Sequence, residues 1–141
     1  MELDVKQQVL VAIYTEYQKD IPMIHKTVTP NSLGIEKEKF DIAIVKLENE
    51  GYINSSKIVT GKGRTEGNQW GIVMVMLDST KMTPYGIDYV EKVLEIDNTD
   101  SAKNKVSRVV DKCGSWGLEQ LKDFGVRVLS EVINHQLDKM I

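Results

Sequence analysis

Apolar residues recur every four positions near the start of the chain. This spacing predicts a helix with one packed face: Val5, Val9, Ile13 and Tyr17. Glu16 and Lys19 fall on the opposite side, which is expected to face solvent. Pro22 marks the end of the helix, because the residue before a proline is displaced from the helical region.

A segment rich in capping residues follows. Thr29 is expected to cap a short second helix, with Pro30 at its first position and Gly34 in a left-handed turn after it. A third helix is predicted over 36–50, with four apolar residues on its inward face: Phe40, Ala43, Ile44 and Leu47.

The period of the apolar residues changes from residue 51 onward. Between 51 and 77, β-branched and aromatic residues flank a glycine-rich stretch at 61–68, which predicts a β-hairpin with a flexible tip. Thr83 and Pro84 repeat the pair of N-cap and first helical residue. A fourth helix is therefore expected to start there and to pack back on the first.

The remaining chain divides the sequence into two predicted parts. Polar, capping-rich residues at 97–101 form a linker, followed by a helix over 101–112, a glycine-containing break at 114–117 and a last helix over 118–141. Residues 1–96 then form an α+β winged helix-turn-helix domain, with three helices, a hairpin wing and a fourth helix. Residues 97–141 form a C-terminal helical arm.

Several segments together carry a family resemblance: Leu33-Gly34-Ile35, Phe40, Leu47-Glu48-Asn49-Glu50-Gly51-Tyr52-Ile53 and Met82-Thr83-Pro84-Tyr85-Gly86-Ile87-Asp88-Tyr89-Val90-Glu91. In this order they resemble the YjcQ-like family of small winged-helix proteins, which are largely found in phages and prophages. The resemblance covers roughly Leu3 to Leu94. It implies a winged-helix fold and a regulatory or DNA-binding role, and no catalytic residues come with it.

The few chemically reactive residues point away from catalysis. A single cysteine, Cys113, gives no disulfide framework, and with only His25 and His135 it leaves too few soft ligands for a structural zinc site. No nucleophile motif or metal-ligand spacing is present. We therefore expect a protein that is not an enzyme and needs no cofactor. The acidic N-terminus lacks a secretory pattern, which favours the cytoplasm.

The first functional hypothesis is a dimeric DNA-binding transcription regulator. Its third helix would enter a major groove, and the hairpin tip would lie along the flanking backbone. The residues expected to contact DNA are Lys37, Lys39, Asn49, Lys57, Lys62 and Arg64.

Charge supports a rival hypothesis. The net charge is −3, and over 36–50 three lysines face five acids, which leaves −2. Any binding to phosphates must therefore rest on local patches. In the rival hypothesis, the winged helix is a protein-interaction module, such as a phage accessory factor, that holds its partner through the C-terminal helix or the acidic face.

The last helix carries a wide apolar stripe that must be covered. We expect a second copy of the chain to cover it through five residues: Leu118, Leu121, Gly125, Val128 and Val132. Packing on the protein's own winged domain is the alternative. A membrane surface is disfavoured because the charges on this helix balance in sign. The basic stretch over 101–112 is interpreted as a solvated helix, with phosphate or an anionic membrane as alternative contacts.

Overall fold

The computed structural model describes residues 3–60 and 72–140, and within these ranges the chain is an α+β protein with seven helices and four short strands. The helices are α1 (Val5–Tyr17), α2 (Ile24–Thr27), α3 (Pro30–Leu33), α4 (Lys37–Asn49), α5 (Pro84–Val93), α6 (Ala102–Ser115) and α7 (Glu119–Met140). The strands are β1 (Ile53–Asn54), β2 (Lys57–Thr60), β3 (Ile72–Met76) and β4 (Lys81–Met82). Residues 61–71, which include the predicted hairpin tip at 61–68, lie outside the described residues.

Helix α1 is the centre of the fold. Asp4 begins it with a capping box, in which its side chain accepts from Gln7 N. Residues 9–16 are all buried, because α4, α5, α6 and α7 all pack around this helix. The prediction of one packed face is therefore wrong. Glu16 and Lys19, expected to face solvent, have side chains that are 0% and 12% exposed.

The predicted start of α3 is confirmed. The Thr29 hydroxyl accepts from Ser32 N, and the Ser32 side chain accepts from Thr29 N, which completes a second capping box. Gly34 adopts a left-handed φ of 64° and turns the chain into α4. The four predicted inward residues of α4 are buried, so that helix packs as expected.

The strands form two antiparallel pairs. β2 pairs with β3, with Lys57 opposite Met76, which confirms the hairpin. β1 pairs with β4, with Ile53 opposite Met82. Sequence reasoning missed β4, because two residues are too few to show the alternation of a strand.

The motifs behind the family resemblance meet at the start of α5. Thr83 Oγ1 donates to the Gly51 carbonyl at 2.6 Å and accepts from Gly86 N at 2.9 Å. A Cβ on Gly86 would lie 2.1 Å from the Tyr52 carbonyl oxygen, so only glycine allows this approach. The ring centroids of Tyr52 and Tyr89 lie 4.9 Å apart. These residues therefore build the joint between β1 and α5.

Helices α6 and α7 complete the hydrophobic core from the C-terminal side. Val106 and Val109 of α6 and Phe124 of α7 belong to the same buried cluster as Leu10 of α1. The last helix therefore packs on its own chain, which was the alternative to a second copy. Helix α6 also runs through Gly114 and Ser115, and the break falls at Gly117, whose φ is 74°.

The five residues assigned to a dimer interface lie in this intrachain packing. Leu121, Val128 and Val132 are 2%, 2% and 7% exposed, and Leu118 packs against the same core. A Cβ on Gly125 would lie 2.9 Å from Val110 Cγ2 of α6, which shows how closely the helices approach. That assignment is therefore corrected: α6 and α1 cover the stripe. Whether the chain dimerises through another surface stays a prediction.

Candidate functional site

A cleft of about 520 Å³ opens between the start of α3, the first half of α4 and strand β3. Its lining mixes apolar, polar and charged side chains: His25, Val28, Thr29, Pro30, Asn31, Lys37, Phe40, Asp41, Met74, Val75, Met76, Leu77 and Asp78. Met74 and Met76 are 42% and 36% exposed, although both are large apolar residues. The cleft is therefore a concave surface with an apolar wall.

The predicted DNA-contacting residues are only partly brought together here. Lys37 lines the cleft, and its Nζ lies 2.7 Å from Oδ2 of the buried Asp41. Lys57 lies opposite Met76, and directly paired residues of an antiparallel ladder share one face of the sheet. Lys57 is therefore on the side of the hairpin that carries the two methionines.

The other predicted contacts lie elsewhere. Lys39 is exposed on α4 and is not part of the cleft lining. Asn49 ends α4, about 18 Å along the helix axis from Lys37 at 1.5 Å per residue, so the cleft does not include it. Lys62 and Arg64 lie outside the described residues.

Several acids of α4 are engaged within the fold. Glu50 pairs with Lys6 at 2.7 Å, and that bond raises the pKa of Lys6. A Glu48 carboxylate oxygen accepts from Ser56 N at 3.3 Å. Adding Lys6 to the three lysines and five acids over 36–50 changes the local balance from −2 to −1. The face of α4 is therefore less acidic than the sequence alone indicates.

The basic stretch of α6 is largely occupied by acids of the same chain. Lys112 Nζ lies 2.9 Å and Arg108 Nη2 lies 3.5 Å from Glu95 Oε2. The hydrogen bond from Lys112 holds the pKa of Glu95 below its usual value. Lys105 lies 2.8 Å from the buried Glu91. The stretch therefore serves mainly to fix α6 against the end of α5.

Glu91 is the centre of a buried polar joint. Its Oε2 accepts from the Tyr14 hydroxyl at 2.8 Å and faces Lys105 Nζ at the same distance. Burial and this hydrogen bond raise the pKa of Tyr14, so the phenol stays protonated and donates. The joint connects α1, α5 and α6.

A second pocket, of about 220 Å³, lies between α7 and the ends of α1, α2 and α3. Charged residues of both signs and two apolar side chains line it: Glu16, Lys19, Lys26, Thr27, Ser32, Phe124, Arg127, Val128 and Glu131. Sequence reasoning missed this pocket. It had placed Glu16 and Lys19 in solvent and α7 on a second copy, and the local sequence carried no signal that these elements meet.

Reactive chemistry is not concentrated in the residues described. Cys113 is buried in α6, and burial raises the pKa of its thiol to about 11, so little reactive thiolate forms near neutral pH. Across 3–60 and 72–140, no group of three or more His, Cys, Asp or Glu residues is placed to hold a metal ion. No described helix is both long and apolar enough to cross a membrane.

The described residues form an α+β fold, with an open cleft at α3, α4 and β3 and a smaller charged pocket at α7. The chain belongs to the YjcQ family, because the family model described as YjcQ protein matches residues 7–110. This match extends past the predicted domain boundary at residue 96 and into α6. No curated protein and no solved structure matches the chain.

Proposed function

We propose that this protein is a non-enzymatic winged-helix regulator of the phage or prophage type that binds DNA in the cytoplasm. In this proposal α1, α3 and α4 form the helix-turn-helix, the β2–β3 hairpin is the wing, and α5 is the fourth helix. One observation carries it: the start of α3, the first half of α4 and the hairpin border a single concave cleft. Such proteins use a helix and a wing together on one duplex.

The charges define how DNA would be held. Lys37 and Lys39 at the start of α4 would approach the major groove, and Lys57 on the hairpin would approach the flanking backbone with Lys62 and Arg64. Because the whole chain is acidic, few phosphates would be contacted. The decrease of DNA affinity with rising salt concentration should therefore correspond to only those few contacts. A homodimer, if formed, would use a surface other than the buried stripe of α7.

The test compares two exposed lysines. Binding to labelled genomic fragments is measured at low and at physiological salt for Lys57→Gln and for the control Lys103→Gln, which lies on α6. Lys57→Gln should weaken binding to all fragments and lower the salt slope by about 1, whereas the control should not. Equal affinities and slopes for both variants would contradict the role of the hairpin. Light scattering on the same samples gives the oligomeric state.

A second function, protein binding, is favoured by the exposed pair Met74 and Met76. Flexible methionine side chains on an open surface suit recognition of an apolar partner segment. If the protein retains no fragment even at low salt, the cleft becomes the proposed docking surface. In that case Met74→Ser with Met76→Ser should abolish partner capture, while a serine at Val126, which is 45% exposed on α7, should leave it intact.

A further inference from the structure

The cleft of about 520 Å³ runs along the edge of strand β3. Five consecutive residues of β3 and the turn after it belong to its lining: Met74, Val75, Met76, Leu77 and Asp78. Successive side chains of a strand point to opposite faces of the sheet, so a cavity over one face would meet only alternate residues. The unbroken run therefore places the cleft beside the strand, where the main chain borders the open space.

This edge of β3 has no neighbouring strand in the described part of the chain. Within 3–60 and 72–140, β3 pairs only with β2. In an antiparallel pair, alternate residues bond to the neighbour, and the N–H and C=O groups of the others point to the opposite edge. Natural proteins often protect such an edge with charged residues or proline. The sequence of β3, Ile72-Val73-Met74-Val75-Met76, contains neither, so a further strand can pair with it.

The shape of the cleft limits what can pair there. Its far wall is formed by residues 29–31 at the start of α3 and by Lys37 of α4. A second copy would present an edge recessed in the same way, and two recessed edges cannot meet before the helices beside them collide. A single extended segment is narrow enough, since neighbouring strands lie about 4.8 Å apart. Its alternate side chains would pack against Met74 and Met76, which are exposed and flexible.

The charges of the cleft give its occupant a direction. Lys37 and the buried Asp41 form an ion pair at 2.7 Å. Asp78, exposed just after β3, has no Lys, Arg or His within ion-pairing distance among the residues described. With His25 neutral, one lysine and two aspartates leave the lining at −1, which favours a cation over a polyanion. A segment that pairs antiparallel with β3 begins at the end of the strand where Asp78 lies.

We propose that the outer edge of β3 binds an extended apolar segment of another protein, which adds antiparallel as a third strand and places a Lys or Arg near Asp78. Main-chain hydrogen bonds to β3 would supply affinity, and alternate side chains against the two methionines would supply specificity. The inference rests on the second proposed function, protein binding at this cleft, and specifies the chemistry of the partner. It does not require the protein to bind DNA.

A display library of random nine-residue peptides supplies the probe. The tightest peptide is synthesised, and each of its amides is N-methylated in turn, which removes one N–H group at a time. Titration calorimetry should show binding weakened about tenfold at alternate positions and little changed at those between, because only alternate N–H groups face β3. A binder without this alternation would overturn strand addition and leave protein binding in place. A library that gives no binder would overturn both.

Variants locate the peptide. Asn31→Trp, on the exposed far wall, should narrow the cleft and weaken the peptide at least about tenfold. Asn104→Trp is the matched control, since Asn104 is also exposed in the first turn of a helix, α6. Equal binding to both variants would place the peptide outside the cleft and overturn the proposal.

Asp78→Asn tests the direction of the added strand. It should weaken a selected peptide that begins with Lys or Arg by about two- to fivefold, the change expected for an exposed ion pair. The same peptide with Gln at that position should bind the variant and the unchanged protein equally. A loss of the same size for both peptides would overturn the contact with Asp78. Because Asp78 is exposed, the variant should fold normally.

Discussion

Two buried glutamates join the N-terminal helices to the C-terminal pair, and they do so in opposite ways. Glu91 uses one oxygen to meet both the Tyr14 hydroxyl and Lys105, each at 2.8 Å. Glu16 uses one oxygen for a backbone N–H and the other for Lys19 Nζ at 2.9 Å, and the residue belongs to the lining of a pocket of about 220 Å³. The first joint connects three helices of the chain directly, whereas the second lies at the wall of a pocket.

Both carboxylates are buried, so burial alone does not tell how much each contributes to stability. A buried charge whose partners are all provided by the chain contributes by holding elements in register. Substitutions in the two joints should therefore differ in how much they lower the free energy of unfolding.

The largest effect is expected from Lys105→Met. This change leaves the buried Glu91 without its cation and should lower the free energy of unfolding by about 3 kcal/mol. Urea denaturation measures the loss. Lys103→Met, on the exposed side of the same helix, should change stability by no more than about 0.5 kcal/mol. Equal losses in the two variants would show that the Glu91 joint is not a buried ion pair.

Gly125→Ala tests the packing of α6 against α7, the helices that carry Lys105 of the first joint and Glu131 of the second. The added Cβ would lie 2.9 Å from Val110 Cγ2, so the helices must separate slightly, at a cost of about 1–2 kcal/mol. Gly114→Ala is the control, since its nearest neighbour, Lys122 Cδ, lies at an ordinary 3.5 Å. The control should be neutral or stabilising by up to about 1 kcal/mol, because alanine favours a helix. Thermal unfolding that moves both variants in the same direction would contradict this account.

Glu16→Gln should cost less than the Lys105 substitution. The amide oxygen can still accept from Met23 N, and Lys19 keeps Glu131 as a partner, so the expected loss is about 1 kcal/mol. Urea denaturation of this variant and of Lys105→Met compares the two losses in the free energy of unfolding directly. A loss as large as that of Lys105→Met would mean that Glu16 is a structural residue like Glu91.

The smallest effect is expected at Glu95, an exposed partner of Lys112. The folded protein holds the pKa of Glu95 below its ordinary value of 4.5, so this contribution to stability is present above pH 4.5 and is lost as the pH falls through the lowered pKa. The stability difference between Glu95→Gln and the unchanged protein should therefore vanish in acid. It should also shrink at high salt, because exposed pairs are screened. A difference that persists in acid would rule out an ionic origin.

The local parts of the fold were predictable from the sequence. The Thr29–Pro30 and Thr83–Pro84 helix starts and the turn at Gly34 were confirmed, because capping and left-handed turns depend on neighbouring residues. The family resemblance rests on the same kind of feature. Its motif residues at Gly51, Tyr52 and Gly86 hold β1 against α5, which explains why the resemblance informs on architecture more than on activity.

Apart from the short strand β4 and the exact end of α6, the errors involve packing between distant parts of the chain. The apolar stripe of α7 shows that the helix must be covered, but the sequence does not state which surface covers it. Glu16 was placed in solvent because its neighbours gave no sign that α7 returns to α1. The pocket beside Glu16 arises from that same return, so it was beyond sequence reasoning, whereas the cleft residue Lys37 on α4 was found.

The central position of α1 has a consequence for the synthesis of the protein. Helix α1 leaves the ribosome before α6 and α7, which cover it. At roughly 10 residues per second, residues 97–141 take several seconds to be translated. During that interval the nascent chain holds Leu10 and its apolar neighbours without their final cover. This is the stage at which a chaperone can bind the chain, or at which two growing chains can pair incorrectly.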